Sequence, residues 1–344
     1  MTQESSYYFK SDDHILNQKG YPLPGYALDG SGIFDRKRVH AAPWRLKEWD
    51  FYQVTDRNLC LQLTIGHVSY AGNCNIMFFD HAAKKHLYTK DILMALPTCP
   101  LWGVGSLHMP ASAHSDSTLT VDRDGALLRF DTKADVRRLT AKTDRLSAEV
   151  TLNPAIPETI LINTPFEKPN EFYFNEKINL LETKINLTLD GQAYTFDPES
   201  TFGLMDWGRG VWPFAHEWIW SSLSSRLDGR LFGFNLGCGF GDTEKARGTE
   251  NVVYYGDETI KLNQMHITHR PDFMLPWQLS DSDGRFEAVL TPHYDRTTRT
   301  KMLFVDNTCH QMFGRFTGHF VKSNGQRVDF SDVIGFAEHA YNHW

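Results

Sequence analysis

Five dipeptides punctuate this chain: Asp124-Gly125, Asp190-Gly191, Asp228-Gly229, Asp283-Gly284 and Asn324-Gly325. Each lies between runs with β-branched or aromatic alternation. A tight two-residue turn needs positive φ at its centre, which Gly adopts freely and Asp or Asn tolerate, so each dipeptide predicts a β-hairpin. The flanking runs agree. Leu59-Cys60-Leu61-Gln62-Leu63-Thr64-Ile65 places four aliphatic residues on one face of a strand. Arg230–Leu236 does the same with Phe232, Phe234 and Leu236, and Phe316, Gly318 and Phe320 share another face. No long stretch has a 3.6-residue period. The best helical candidates are short, Asp91–Leu96 and Phe336–Asn342. The expectation is an all-β, antiparallel protein of roughly 16–20 strands.

That number exceeds a sandwich of usual size, so two β-barrels or sandwiches in tandem, with short peripheral helices, fit the length of 344 residues. Pro165 and Pro169 interrupt the strand pattern and set an expected seam near Asn163–Asn175. The expected division is an N-terminal extension (1–40), a first barrel (41–170) and a second barrel (171–344). The extension, with its Gly and Pro residues, is expected to wrap the body or close a mouth.

Charge excludes some partners. The net charge is −7 and the longest basic run noted is Arg36-Lys37-Arg38. Nucleic-acid binding needs a concentrated basic face, so it is disfavoured. No apolar run approaches the roughly 20 residues that span a bilayer, and Met1–Lys10 lacks the apolar core of a signal peptide. The five cysteines, Cys60, Cys74, Cys99, Cys238 and Cys309, include no Cys-x-x-Cys pair. Reduced thiols in a soluble cytoplasmic protein are the expectation.

Residues 206–220 read Asp-Trp-Gly-Arg-Gly-Val-Trp-Pro-Phe-Ala-His-Glu-Trp-Ile-Trp. Such a run is costly to bury and poorly soluble if exposed, which points to a concave site with aromatic walls and a few polar groups. In an extended segment His216, Trp218 and Trp220 share one face, and Glu217 and Ile219 the other. An interior His216 near a carboxylate could shuttle protons; equally, it could cap a backbone group at a barrel rim. Asp206 and Arg209 lie in a Gly-flanked turn. Either they form a salt bridge there, or Asp206 is a general acid and Arg209 clamps a ligand. Glu250 and Asn251 follow a polar loop, and with Asn235 they could supply an acid and amide hydrogen bonds to the same cavity. Lys177 and Lys47-Glu48-Trp49 are further candidates, for which a charged solvent face is the ordinary explanation.

Metal sites do not stand out. His266 and His269 would face opposite ways in a strand, and His339, His343 and Glu338 crowd the chain end short of a fixed ligand set. The phosphate loop, the Rossmann glycine pattern and Gly-x-Ser-x-Gly are all missing. Neither metal nor cofactor is expected.

Several segments together resemble a known family: Arg45–Tyr52, Tyr173–Ile178, Asp206–Pro213, Phe234–Gly237, Thr249–Asn251 and Gly335–His339, closing on Trp344. In that order they are similar to the bacterial and fungal family called domain of unknown function 2804, from about Pro43 to the last residue. Asp-Trp-x-Arg-Gly at 206–210 is the most specific part. The family brings no reaction with it. More remotely, the chain resembles the carotenoid hydratase and AttH-like group, built from two lipocalin-like barrels. That resemblance implies an apolar cavity and acid/base chemistry on an unsaturated or cyclic hydrophobic molecule.

Three readings follow. The first is a cofactor-free hydratase, isomerase or cyclase in which Asp206, His216 or Glu250 moves protons. Arg209, Trp207, Trp212, Trp218, Trp220, Asn235, Asn251 and Lys177 would hold an apolar or amphipathic ligand. The second is a lipocalin-like carrier using the same cavity without turnover. The third is a glycosidase or lyase with a Trp-lined cleft.

Overall fold

The computed structural model describes residues 7–95, 107–243, 248–302 and 305–343. Among them are twenty-two strands in two curled, barrel-like antiparallel sheets, and the sequence expectation of an all-β tandem is met. Strands of the first sheet are β1 (Gly25–Ala27), β2 (Leu46–Thr55), β3 (Leu59–His67), β4 (Ala71–Asp80), β5 (Lys85–Ala95), β6 (Ser117–Arg123) and β7 (Ala126–Lys133). They continue as β8 (Val136–Lys142), β9 (Leu146–Pro154), β10 (Ile160–Pro165), β11 (Phe172–Leu189), β12 (Gln192–Tyr194) and β13 (Phe202–Val211). The main path runs β5-β4-β3-β2-β13-β11-β9-β8-β7-β6. The second sheet holds β14 (Ala215–Leu227), β15 (Arg230–Cys238), β16 (Val252–Tyr255), β17 (Glu258–Lys261) and β18 (Met265–Thr268). Its remaining strands are β19 (Trp277–Asp281), β20 (Phe286–Met302), β21 (Val305–Val321) and β22 (Arg327–His343). Its order is β17-β16-β15-β14-β22-β21-β20-β19-β18.

The turn dipeptides act as their chemistry dictates. Asp124/Gly125, Asp190/Gly191 and Asp228/Gly229 all have paired positive φ, between 51° and 78°, the signature of a two-residue hairpin. Gly284 and Gly325 also have positive φ, in longer turns. Both helical expectations fail. Asp91–Ala95 lies in β5, Leu96 lies outside the described residues, and Phe336–Asn342 lies in β22. β22 is paired along both edges, with β14 and β21, so its backbone groups are spent on ladders. A spacing of four keeps two residues on one face in helix and strand alike, so the spacing of His339 and His343 does not distinguish the two.

The chain passes between sheets at 212–214, after β13 and before β14. The expected seam at Asn163–Asn175 holds the β10–β11 pairing of the first sheet, from Ile160↔Lys177 to Pro165↔Phe172. Pro165 ends its strand, where a missing N–H costs little. Each sheet encloses its own apolar core, one containing Ile65, Phe174 and Trp207 and the other Phe234, Trp277 and Phe316. Two smaller clusters, around Tyr173, Trp212 and Phe240 and around Phe79, Trp220 and Phe336, join residues of both sheets. No helix among the described residues is long and apolar enough to cross a membrane. Cys60, Cys74, Cys238 and Cys309 are free thiols; Cys99 lies outside the described residues.

The N-terminal segment lies along the first sheet, burying Phe9, Ile15 and Phe34 in its core. Nearby, His114 bridges two carboxylates, Nε2 to Glu176 Oε1 at 2.7 Å and Nδ1 to Asp135 Oδ1 at 2.8 Å. Burial alone would lower its pKa, but hydrogen bonds and charge from Glu176 and Asp135 outweigh burial and raise it from 6.5 to about 9. A raised histidine pKa stabilises the fold fully below 6.5, and that contribution is lost as pH rises through about 9. The stability advantage of wild type over His114→Gln should therefore shrink between those pH values, as urea titrations at each would measure.

Candidate active site

Strand alternation divides β13. Met205, Trp207 and Val211 enter the core of the first sheet, while Phe202 and Leu204, with Trp212 just past the strand end, join the clusters between the sheets. Asp206 shares the second face. The expected Gly-flanked turn at 206–210 is thus a strand, and no Asp206–Arg209 salt bridge exists, because three residues apart in a strand means opposite faces. The glycines make room for indoles. A Cβ on Gly208 would lie 1.9 Å from Trp49 Cζ2, and one on Gly210 would lie 2.5 Å from Trp212 Nε1.

The space that these indoles shape is a cavity of about 320 Å³ between the sheets. Trp49, Tyr173, Trp212, Trp218, Trp220 and Phe240 wall it, and Lys177, Asp206 and Glu338 face it. Trp49 stacks on Tyr173 (centroids 6.0 Å, planes 12° apart) and meets Trp212 edge-on at 4.8 Å. Tyr173 meets Phe240 at 4.3 Å, so the wall is a continuous aromatic lattice.

Two rows of directly opposed residues bring the polar groups together. In the first sheet, Asp206 lies opposite Lys177 on β11, with Nζ 2.8 Å from Oδ1. Asn175 Nδ2 donates to the same oxygen at 2.6 Å. Lys177 Nζ also sits 4.0 Å from the Trp220 ring centroid and 3.5 Å from Tyr173 Oη. Burial, then the charges of Asp206, Glu250 and Glu338, push the Tyr173 phenol well up, so it stays a proton-bearing donor. In the second sheet the row is Arg296, Gln311, Glu338 and Trp220, on β20, β21, β22 and β14. Glu338 Oε1 accepts from Trp218 Nε1 at 3.3 Å, and Oε2 accepts from Gln311 Nε2 at 3.1 Å. Burial pushes the Glu338 carboxyl up, and the Asp206 charge adds to the rise, while Arg296 and Lys177 oppose it. One cavity thus holds a carboxyl group ion-paired with a lysine and a second whose pKa burial raises.

The family described as domain of unknown function DUF2804 matches residues 8–344. The chain belongs to that family. No curated protein matches the sequence. Kievitone hydratase from Nectria haematococca has a similar structure, with TM-score 0.57 and 12% identity over 94% of this chain and 98% of that one. CghA, solved with Sch210972, gives TM-score 0.57 and 12% identity over 97% of both chains. An AttH-like protein from Nitrosomonas europaea gives TM-score 0.52 and 13% identity over 89% of this chain and 95% of that one. At such identities the likeness is one of fold.

Within this DUF2804 chain the residues proposed from sequence divide into those at the cavity and those behind it. Lys47, Glu48, Trp49, Lys177, Asp206, Trp212, Trp218 and Trp220 reach the cavity. His216 shares the expected face but stops one layer out, stacked on Trp218 at 5.5 Å, with Nδ1 3.1 Å from Pro213 O. Burial lowers its pKa to about 4, which leaves a neutral ring. Asn235 accepts from Trp220 Nε1 at 2.7 Å and donates to Glu250 Oε2 at 2.9 Å, so this pair braces the tryptophan from behind. Asn251 accepts from Gly237 N and donates to Asn263 O, each at 2.7 Å. Trp207 and Arg209 turn into the first core, with the guanidinium 4.1 Å from the indole centroid.

Tyr173 and Glu338 were missed as site residues. Their signal was period two: Tyr173, Asn175 and Lys177 alternate within Tyr173–Ile178, as do Phe336 and Glu338 within Gly335–His339. Among the described residues, no group of three or more His, Cys, Asp or Glu could hold a metal ion.

Proposed function

We propose that this protein is an acid/base enzyme acting, in the cavity between its sheets, on a double bond of a largely apolar, ring-bearing ligand. The observation that carries the reading is the unlike pair of carboxyl groups, Asp206 held by Lys177 and Asn175, and Glu338 pushed up by burial. A carboxyl raised by burial beside one held in an ion pair separates an acid from a base. Glu338 gives its proton to one carbon of the C=C bond, whose π electrons form the new C–H bond. Water adds to the other carbon and loses a proton to Asp206, so the net change is addition of H and OH. For isomerisation Asp206 instead removes a proton from the neighbouring carbon. In either case a proton then returns from Asp206 to Glu338 by way of solvent. Tryptophan faces stabilise the positive carbon that forms on the way. The hydratase named among the structural neighbours favours water addition.

The test begins with organic extraction of purified protein and mass spectrometry of what co-purifies. The recovered compound is returned to the protein in D₂O, where solvent deuterium should appear on carbon. A compound held tightly without exchange would mean a carrier, and a bound sugar would favour glycoside chemistry.

A further inference from the structure

We propose that Gln311 and Arg296 are positioning residues that keep the acidic proton of Glu338 on Oε1, the oxygen beside Trp218. The inference rests on Glu338 as proton donor and adds the device that aims it.

Register supplies the parts. Arg296, Gln311 and Glu338 lie directly opposite one another on three neighbouring strands, all buried. A guanidinium carries only donors, so the Gln311 atom facing it must be the amide oxygen. Arg296 Nε and Nη2 lie 3.1 and 2.9 Å from Gln311 Oε1, and Gln62 Nε2 donates to that same atom at 2.7 Å. Gln62 Nε2 also lies 2.8 Å from Gln53 Oε1, which carries the chain of amides onto the first sheet. With its oxygen committed, Gln311 turns Nε2 toward Glu338 Oε2, at 3.1 Å. The Cys309 thiol reaches Oε2 as well, at 3.7 Å, and burial pushes its pKa up so that it keeps its proton.

A carboxylic acid has one O–H, and a hydrogen on Oε2 would face two donors. Oε2 is therefore the carbonyl oxygen and Oε1 the hydroxyl. Oε1 lies beside Trp218, a wall of the cavity. When the proton leaves, the O–H bond at Oε1 breaks and a C–H bond forms on the ligand. The remaining negative charge meets Gln311 N–H and Cys309 S–H at Oε2, and Trp218 N–H at Oε1. These donors stand in place before the charge forms, so little reorganisation is needed. The charged and titratable groups that bear on Glu338 are Arg296, Lys177, Asp206, Cys309 and Tyr173.

Infrared spectroscopy of the ligand-free full chain tests the device. The protonated-carboxyl C=O band that vanishes in Glu338→Gln belongs to Glu338. In Gln311→Met that band should move to higher frequency, because its carbonyl loses a donor. It should also titrate roughly one pH unit higher, because the carboxylate loses the same donor. Arg296→Lys keeps the charge but not the fork, and serves alone should Gln311→Met not fold. There Gln311 Oε1 keeps only the Gln62 donor in place of three contacts, Nε2 is aimed less firmly at Glu338, and the midpoint again rises. An unchanged band and midpoint in whichever variants fold overturn the positioning role. A wild-type Glu338 carboxyl band that titrates within or below the ordinary carboxylate range overturns that role and the proton-donor reading together. Because no substrate is needed, the two failures are told apart.

Discussion

Glu338→Gln is expected to lower turnover by roughly 10²–10⁴-fold while ligand affinity stays close to wild type. The amide keeps the size of the side chain and can still accept from Gln311, but it has no acidic proton to give. The pH dependence carries a definite sign. Glu338 must be protonated to act, and burial lifts its pKa above the ordinary carboxylate value. Activity should therefore hold on the acid side and fall as pH rises through that lifted value. Stability moves the other way. A carboxyl whose folded pKa is raised penalises the fold above its unfolded pKa, so the uncharged amide should leave the protein at least as stable at neutral pH. Steady-state kinetics beside urea unfolding would check both. A variant that keeps its rate removes Glu338 from the reaction, and one that loses rate and fold together makes it structural.

The fold was legible where its determinants are local. Asp124-Gly125, Asp190-Gly191 and Asp228-Gly229 dictate hairpins through backbone sterics that act within four residues. Parity was legible too, and it correctly set His216, Trp218 and Trp220 on one face. What could not be read is which strands pair. Glu338 meets Trp218 and Trp220 only because β22 lies beside β14, more than a hundred residues earlier in the chain. Gln311 meets Gln62 only because the two sheets face each other across a buried seam. The helical reading of 336–342 shows the cost: it hid the alternation that sets Phe336 and Glu338 on one face.

Glycine was the other ambiguous signal. Gly208 and Gly210 suggested a turn, whereas in the strand they let Trp49 and Trp212 approach closely. The approaching group belongs to the protein. Sequence alone does not say which atoms will fill the room that a glycine leaves.

Arg209→Ala should cost about 3–5 kcal/mol of stability, the range for removing one partner of a buried ion pair, without a matching loss of ligand affinity in the molecules that remain folded. The guanidinium is fully buried. Nη2 lies 2.9 Å from Asp50 Oδ1, Nη1 lies 2.7 Å from Trp49 O and 2.8 Å from Gly208 O, and Nη2 lies 2.8 Å from Pro110 O. Truncation leaves the Asp50 carboxylate and several carbonyl oxygens without those donors in an apolar core, and it leaves a void beside Trp207. Burial already pushes the Asp50 carboxyl up, with the Arg209 charge the leading opposing influence. Without Arg209 the rise should be larger. A carboxyl raised in the fold destabilises it above the unfolded pKa, so the deficit should narrow as pH falls toward the ordinary carboxylate range. Urea midpoints at neutral and mildly acidic pH, for Arg209→Ala alone and with Asp50→Asn, would measure this. Removing the stranded carboxylate should restore part of the loss. An Arg209→Ala protein of normal stability that fails to hold its ligand would instead put the arginine in the binding site, where its place three residues after Asp206 had suggested it.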